Sequence, residues 1–121
     1  MIFKFEPIYK ERIWGGTMIR DFLERDIPCE SPIGESWEIV DRKEANSIIA
    51  NTSLRGKTLA ALLKADGKKV MGPKWKQGRP FPLLVKWLDC SQRLSLQVHP
   101  PAKVAEKLSG EPKTENWYVA E

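Results

Sequence analysis

The chain has 121 residues, 41% hydrophobic and 30% charged, which suits one soluble domain with a modest core. Its net charge is +4, but the stretch from Lys64 to Arg79 holds six basic residues against Asp66, so +5 sits there and −1 elsewhere, which argues against an evenly basic nucleic-acid binder. No apolar run reaches the ~18 residues of a membrane span, and Met1-Ile-Phe-Lys-Phe-Glu mixes charge into its apolar stretch, so neither a span nor a signal peptide is expected and the expected location is cytoplasmic.

In chain order, a first strand is expected over Phe3 to Ile8, then a helix from Thr17 with Met18, Ile19, Phe22 and Leu23 on one face. Strands follow at Glu35 to Val40 and Ser47 to Asn51. Arg55-Gly56-Lys57-Thr58 imitates the end of a phosphate-binding loop, but the glycine that should open that motif falls on Asn51, so the motif fails. Thr58 instead reads as the cap of a helix that buries Leu59, Leu62 and Leu63. The basic stretch behind it, with Gly72-Pro73 and Trp75 inside, reads as a solvated connector; tracking a nucleic-acid backbone is the disfavoured alternative. Further strands are expected at Leu83 to Asp89, Leu94 to His99 and Asn116 to Ala120, with a short helix after Pro101.

Short strands with helices in the connections favour a β-sandwich or barrel over a parallel α/β sheet. Six strands fall short of the eight of a jelly roll, and Trp117-Tyr-Val-Ala runs to the C-terminus with no turn behind it. The chain therefore reads as a single domain over 1–121, truncated after the Glu115–Ala120 strand, with an unpaired edge that invites self-association or a complementing chain. Cys29 and Cys90 lack any Cys-x-x-Cys spacing and read as buried or idle thiols. Trp37 and Trp87, each inside a strand, read as core aromatics.

The chemistry concentrates in Phe81 to Pro101, which reads as a strand, a turn and a second strand. In that second strand Leu94, Leu96 and Val98 alternate with Ser95, Gln97 and His99, so the apolar and polar sets take opposite faces. Imidazole is a good zinc ligand and a carboxamide oxygen a weaker one, so Gln97 and His99 alone leave a metal undercharged. Glu115 offers the missing carboxylate, with Lys113 two residues before it on the same face. A lone histidine in a small domain is more often a surface or core residue than a ligand; the convergence of four polar groups on one face is what argues for a site.

Five blocks, in one order, resemble the type I mannose-6-phosphate isomerase (phosphomannose isomerase) family: Pro7-Ile-Tyr-Lys-Glu-Arg-Ile-Trp-Gly-Gly, Gly34-Glu-Ser-Trp-Glu-Ile, Phe81-Pro-Leu-Leu-Val-Lys, Leu94-Ser-Leu-Gln-Val-His-Pro-Pro and Gly110-Glu-Pro-Lys-Thr-Glu-Asn-Trp-Tyr-Val. The resemblance implies a mainly β, cupin-like jelly-roll β-sandwich, incomplete here, with two or three short helices in its connections. It implies one Zn2+ per site with Gln97, His99 and Glu115 as three of four ligands, Lys86 and Lys113 facing the substrate cavity, and Trp14 as a further lining residue. The family's fourth ligand, a second histidine, and its catalytic arginine have no counterpart in these residues, where His99 is the only histidine.

The activity so implied is aldose–ketose isomerisation of mannose 6-phosphate and fructose 6-phosphate, a proton passing between C1 and C2 through a cis-enediol. Zinc would serve as a Lewis acid, with Lys113 or Lys86 for proton transfer and Lys86 alternatively a point charge for phosphate. The competing expectation is a catalytically inactive cupin fragment that binds metal or sugar phosphate without turnover.

Overall fold

In the computed structural model, which describes residues 2–27, 32–110 and 112–120, the elements are β1 (Ile8–Gly16), α1 (Met18–Phe22), β2 (Ile33–Ile39), α2 (Leu59–Met71), β3 (Val85–Leu88) and α3 (Ala102–Lys107). The strands form one antiparallel sheet in the order β1-β2-β3. Register is set by Ile8 opposite Trp37, Lys10 opposite Glu35, Trp37 opposite Lys86 and Glu35 opposite Leu88. Because side chains alternate along a strand, Glu35 and Trp37 of β2 and Lys86 and Leu88 of β3 share one face, and from bulged β1 the Arg12 guanidinium reaches Glu35 while Trp14 lines the same cleft. That face carries the candidate site.

The larger core sits beside the sheet. Ile49, Leu59, Leu62 and Leu63 are buried, with Phe3, Phe5, Ile39, Leu54, Val70, Trp75 and Phe81 packed around them. Leucines at 59, 62 and 63 lie on one side of α2, so the helix docks by an apolar stripe. Its first turn is closed by Thr58, whose Oγ1 accepts from the Ala61 N–H at 3.1 Å. Past a break at Asp66, Gly67 lies against Trp75; a Cβ there would stand 2.6 Å from the indole, so only glycine admits the ring. A smaller cluster of Ile19, Ile27 and Ile33 fixes α1, whose Met18 N–H is accepted by Asp89 Oδ2 at 2.6 Å.

The expected strands at Glu35 to Val40 and Leu83 to Asp89 appear as β2 and β3, and the three expected helices as α1 to α3. The first strand, however, lies at Ile8–Gly16 rather than Phe3 to Ile8; Phe5 makes only an isolated bridge to Ile49. Bulges between Lys10 and Glu11 and between Glu11 and Gly16 break the two-residue alternation by which β1 would have been recognised. Ser47 to Asn51 is reduced to bridges at Ile48 and Ile49. Leu94 to His99 and Asn116 to Ala120 run without a ladder, and the expected hairpin does not form, since β3 pairs with β2 alone. The six-strand count thus falls to three among the described residues.

Side-chain expectations shift as well. Met18 and Phe22 on α1 are exposed while Ile19 is buried. Trp87 is exposed at 36%, whereas Trp37 is half-buried. Cys90 is exposed rather than buried, and partial desolvation with the neighbouring Asp89 charge pushes its thiol above the usual value, away from reactivity. Cys29 lies outside the described residues. Lys64, Lys68 and Lys69 of the basic stretch stand on α2, not in a connector, and Trp75 is half-buried against the core. No helix among the described residues is long and apolar enough to cross a membrane.

Candidate functional site

A cleft of about 520 Å3 opens over the shared face of the sheet. Its floor is Trp14 of β1, Glu35 of β2 and Lys86 and Leu88 of β3; its other wall is Arg93 to Gln97, His99, Glu115 and Trp117. The chain enters that wall through Ser91, whose N–H donates to the Trp14 carbonyl at 2.9 Å and whose hydroxyl donates to the Gly15 carbonyl at 2.7 Å.

The floor is organised around Glu35, which is only 7% exposed. Its Oε2 accepts from Trp37 Nε1 at 2.7 Å and from Arg12 Nη2 at 3.2 Å, and its Oε1 accepts from Lys86 Nζ at 3.2 Å. Burial alone would raise its proton affinity, but the Trp37 hydrogen bond and the Lys86 and Arg12 charges outweigh it and hold the carboxyl below its ordinary range. Arg12 and Trp14 reach across the backbone of Gly34, where a Cβ would stand 2.5 Å from Arg12 Cβ and 2.7 Å from the Trp14 ring. Glycine at 34 is therefore what lets both side chains cross toward the cleft.

On the wall, Glu115 is the centre. Lys113 Nζ lies 3.1 Å from its Oε1 and His99 Nδ1 lies 3.6 Å from its Oε2. Partial burial pushes the Glu115 carboxyl up, yet the hydrogen bond and charge of Lys113, with smaller contributions from His99 and Trp117, bring it below the usual value. Two ligands of a tetrahedral zinc at 2.0–2.2 Å stand about 3.4 Å apart. The 3.6 Å between His99 Nδ1 and Glu115 Oε2 matches that span, and Lys113 occupies the other carboxylate oxygen, leaving Oε2 turned to the imidazole. Among the described residues no group of three or more His, Cys, Asp and Glu gathers; Gln97, whose amide oxygen is a neutral donor, lines the same cleft.

Of the residues singled out in the sequence, Trp14, Lys86, Gln97, His99 and Glu115 line one cleft, and Lys113 joins it through Glu115. Lys86 and Lys113 are not equivalent there: the first is paired with Glu35 on the floor, the second with Glu115 on the wall. Together these features reproduce, in one cleft, the residues by which the sequence resembles a sugar-phosphate isomerase.

The family described as phosphomannose isomerase type I, catalytic domain, matches residues 2–120. The chain belongs to this family. It is 42% identical over 118 residues to a probable mannose-6-phosphate isomerase of Bacillus subtilis, covering 94% of the chain and 36% of that protein. It is 37% identical over 120 residues to a mannose-6-phosphate isomerase of Streptococcus mutans, covering 94% of the chain and 37% of that protein. The crystal structure of the mannose 6-phosphate isomerase from Bacillus subtilis superposes with a TM-score of 0.74 at 40% identity, over 91% of the chain and 34% of that structure. The chain thus spans about a third of the length of the relatives it matches. The structural likeness bears out the mainly β, cupin-like class expected from the sequence.

Within this phosphomannose isomerase frame, the sequence reading passed over Glu35, Arg93 and Trp117. Glu35 carried a usable signal: a carboxylate two residues before Trp37 in an alternating strand takes the same face as the tryptophan. Arg93 and Trp117 carried none, because they sit in segments without a ladder, where strand alternation does not fix direction.

Proposed function

We propose that the cleft is a sugar-phosphate isomerase site that interconverts mannose 6-phosphate and fructose 6-phosphate, with Gln97, His99 and Glu115 as zinc ligands. The observation that carries this reading is the His99–Glu115 spacing of 3.6 Å in the cleft that Lys86 also lines. Zinc held by these three donors would supply Lewis acidity toward the substrate oxygens.

The chain's own residues do the rest. Aldose and ketose differ by a proton moved from C2 to C1 and one moved between the two oxygens, through a cis-enediol. The group that carries the carbon-bound proton must stand beside C1 and C2. Lys113, held 3.1 Å from a ligand carboxylate, lies on the metal side of the cleft and is assigned that transfer. Lys86, on the floor, is assigned to the phosphate as a point charge. Trp14 lines the same floor as Lys86.

Zinc loading followed by metal analysis tests the ligand set: the chain should retain zinc and His99→Ala should lose it, and unchanged metal content in the variant refutes the assignment. A coupled assay on the zinc-loaded chain tests turnover. A second reading, a metal- and sugar-phosphate-binding module without turnover, is favoured by the exposure of Leu96 at 95% and Val98 at 80%, which leaves the wall without cover. Zinc and sugar-phosphate binding with no ketose formed would select it.

A further inference from the structure

The proposed mechanism gives Lys86 a task and Glu35 none, although Glu35 is the buried charged side chain of the cleft. We propose that Glu35 is a positioning residue: it fixes the direction in which the Lys86 ammonium meets the phosphate of a sugar phosphate. The proposal rests on the reading of the cleft as a sugar-phosphate site.

A lysine ammonium ends a stem of four rotatable bonds and, left alone, samples many directions. Here one of its three protons is committed to Glu35 Oε1 at 3.2 Å, so the other two are constrained to a narrow set of directions. That constraint is only as firm as the carboxylate, and the carboxylate is held from behind. Trp37, a rigid ring with two torsions, donates to Oε2 at 2.7 Å, and Arg12 donates to the same oxygen at 3.2 Å. Oε2 is thereby saturated and Oε1 is left for Lys86.

The charge balance also fits an anionic ligand. Arg12 and Lys86 carry two positive charges against one on Glu35, so the floor keeps a net +1 with the carboxylate ionised. Glu35 thus does more than neutralise Arg12: it also holds Lys86, which stands opposite Trp37 on the edge strand β3 and lines the cleft. The sequence builds this locally: alternation places Glu35 and Trp37 together, and Gly34 clears the path for Arg12.

The test compares the chain with Glu35→Gln, Lys86→Met and the double variant. Calorimetry with mannose 6-phosphate should show about tenfold weaker binding for each single variant, and a double variant no weaker than Lys86→Met. Additive losses would overturn the proposal, because a merely structural carboxylate does not act through Lys86. Independently of any ligand, the Lys86 side-chain nitrogen resonance should move to that of a freely rotating lysine in Glu35→Gln; an unchanged resonance overturns the proposal. If the unaltered chain binds neither mannose 6-phosphate nor inorganic phosphate, the reading of the cleft fails and the resonance alone decides the role of Glu35. Should Glu35→Gln not fold, Trp37→Phe removes one donor from Oε2, and the same resonance must shift in the same direction.

Discussion

The two sides of the cleft are built differently. The floor belongs to a hydrogen-bonded sheet, with Glu35 satisfied by three donors. The wall, Leu94 to His99 and Lys113 to Trp117, has no strand ladder, and among the described residues no backbone hydrogen bond ties either segment to the sheet. Most of its apolar side chains are bare: Leu96, Val98 and Trp117 are exposed, as are Tyr118 and Val119 just beyond it, and Leu94 is half-buried. The sheet side is therefore preorganised, while the wall is held by Ser91 at one end and by ion pairs around Glu115. Groups on such a wall lose conformational freedom when they close on a ligand, and that cost lowers affinity.

On this contrast, the largest loss of stability follows from damage to the core beside the sheet. Leu62→Ala, in the cluster with Ile49, Leu59 and Leu63, should cost about 2–5 kcal/mol in urea unfolding. A midpoint within error of the parent would show that this core does not carry the fold. A smaller effect is expected at Glu35. Its folded-state carboxyl lies below its unfolded value, so the stability it contributes is present at pH above the ordinary carboxylate range and is lost as pH falls through the folded value. Glu35→Gln should cost about 1–3 kcal/mol at pH 7 and make the acid limb of stability shallower. A parallel acid limb in variant and parent would remove Glu35 as its source.

The same contrast explains what was legible beforehand. α2 announces itself because burial on one side forces apolar residues into a period of three to four, as in Leu59, Leu62 and Leu63, whereas β2 and β3 are legible as short runs bounded by Pro, Gly, Asp or Ser. β1 does not, because bulges interrupt the period. In Leu94 to His99 the alternation is real in the sequence, but Leu96 and Val98 lie exposed and the segment pairs with no strand among the described residues. The residues converging on the cleft were readable mainly from the five family-like blocks; distances and pairings were not. Nothing in the spacing of Lys86 and Lys113 announces that one answers to Glu35 and the other to Glu115.

The smallest expected effect is at His99, and it is the sharpest probe of the wall. Its Nδ1 faces Glu115 Oε2 at 3.6 Å, and among the described residues it makes no part of either buried cluster. Without metal, His99→Ala should change stability by less than about 0.5 kcal/mol. With zinc at a hundredfold excess over its dissociation constant, the parent should gain about 2.7 kcal/mol from mass action and the variant nothing. Thermal unfolding with and without zinc reads both. A drop of several degrees in the metal-free variant would mean that the wall carries stability of its own, and the division between a built floor and a loosely held wall would have to be abandoned.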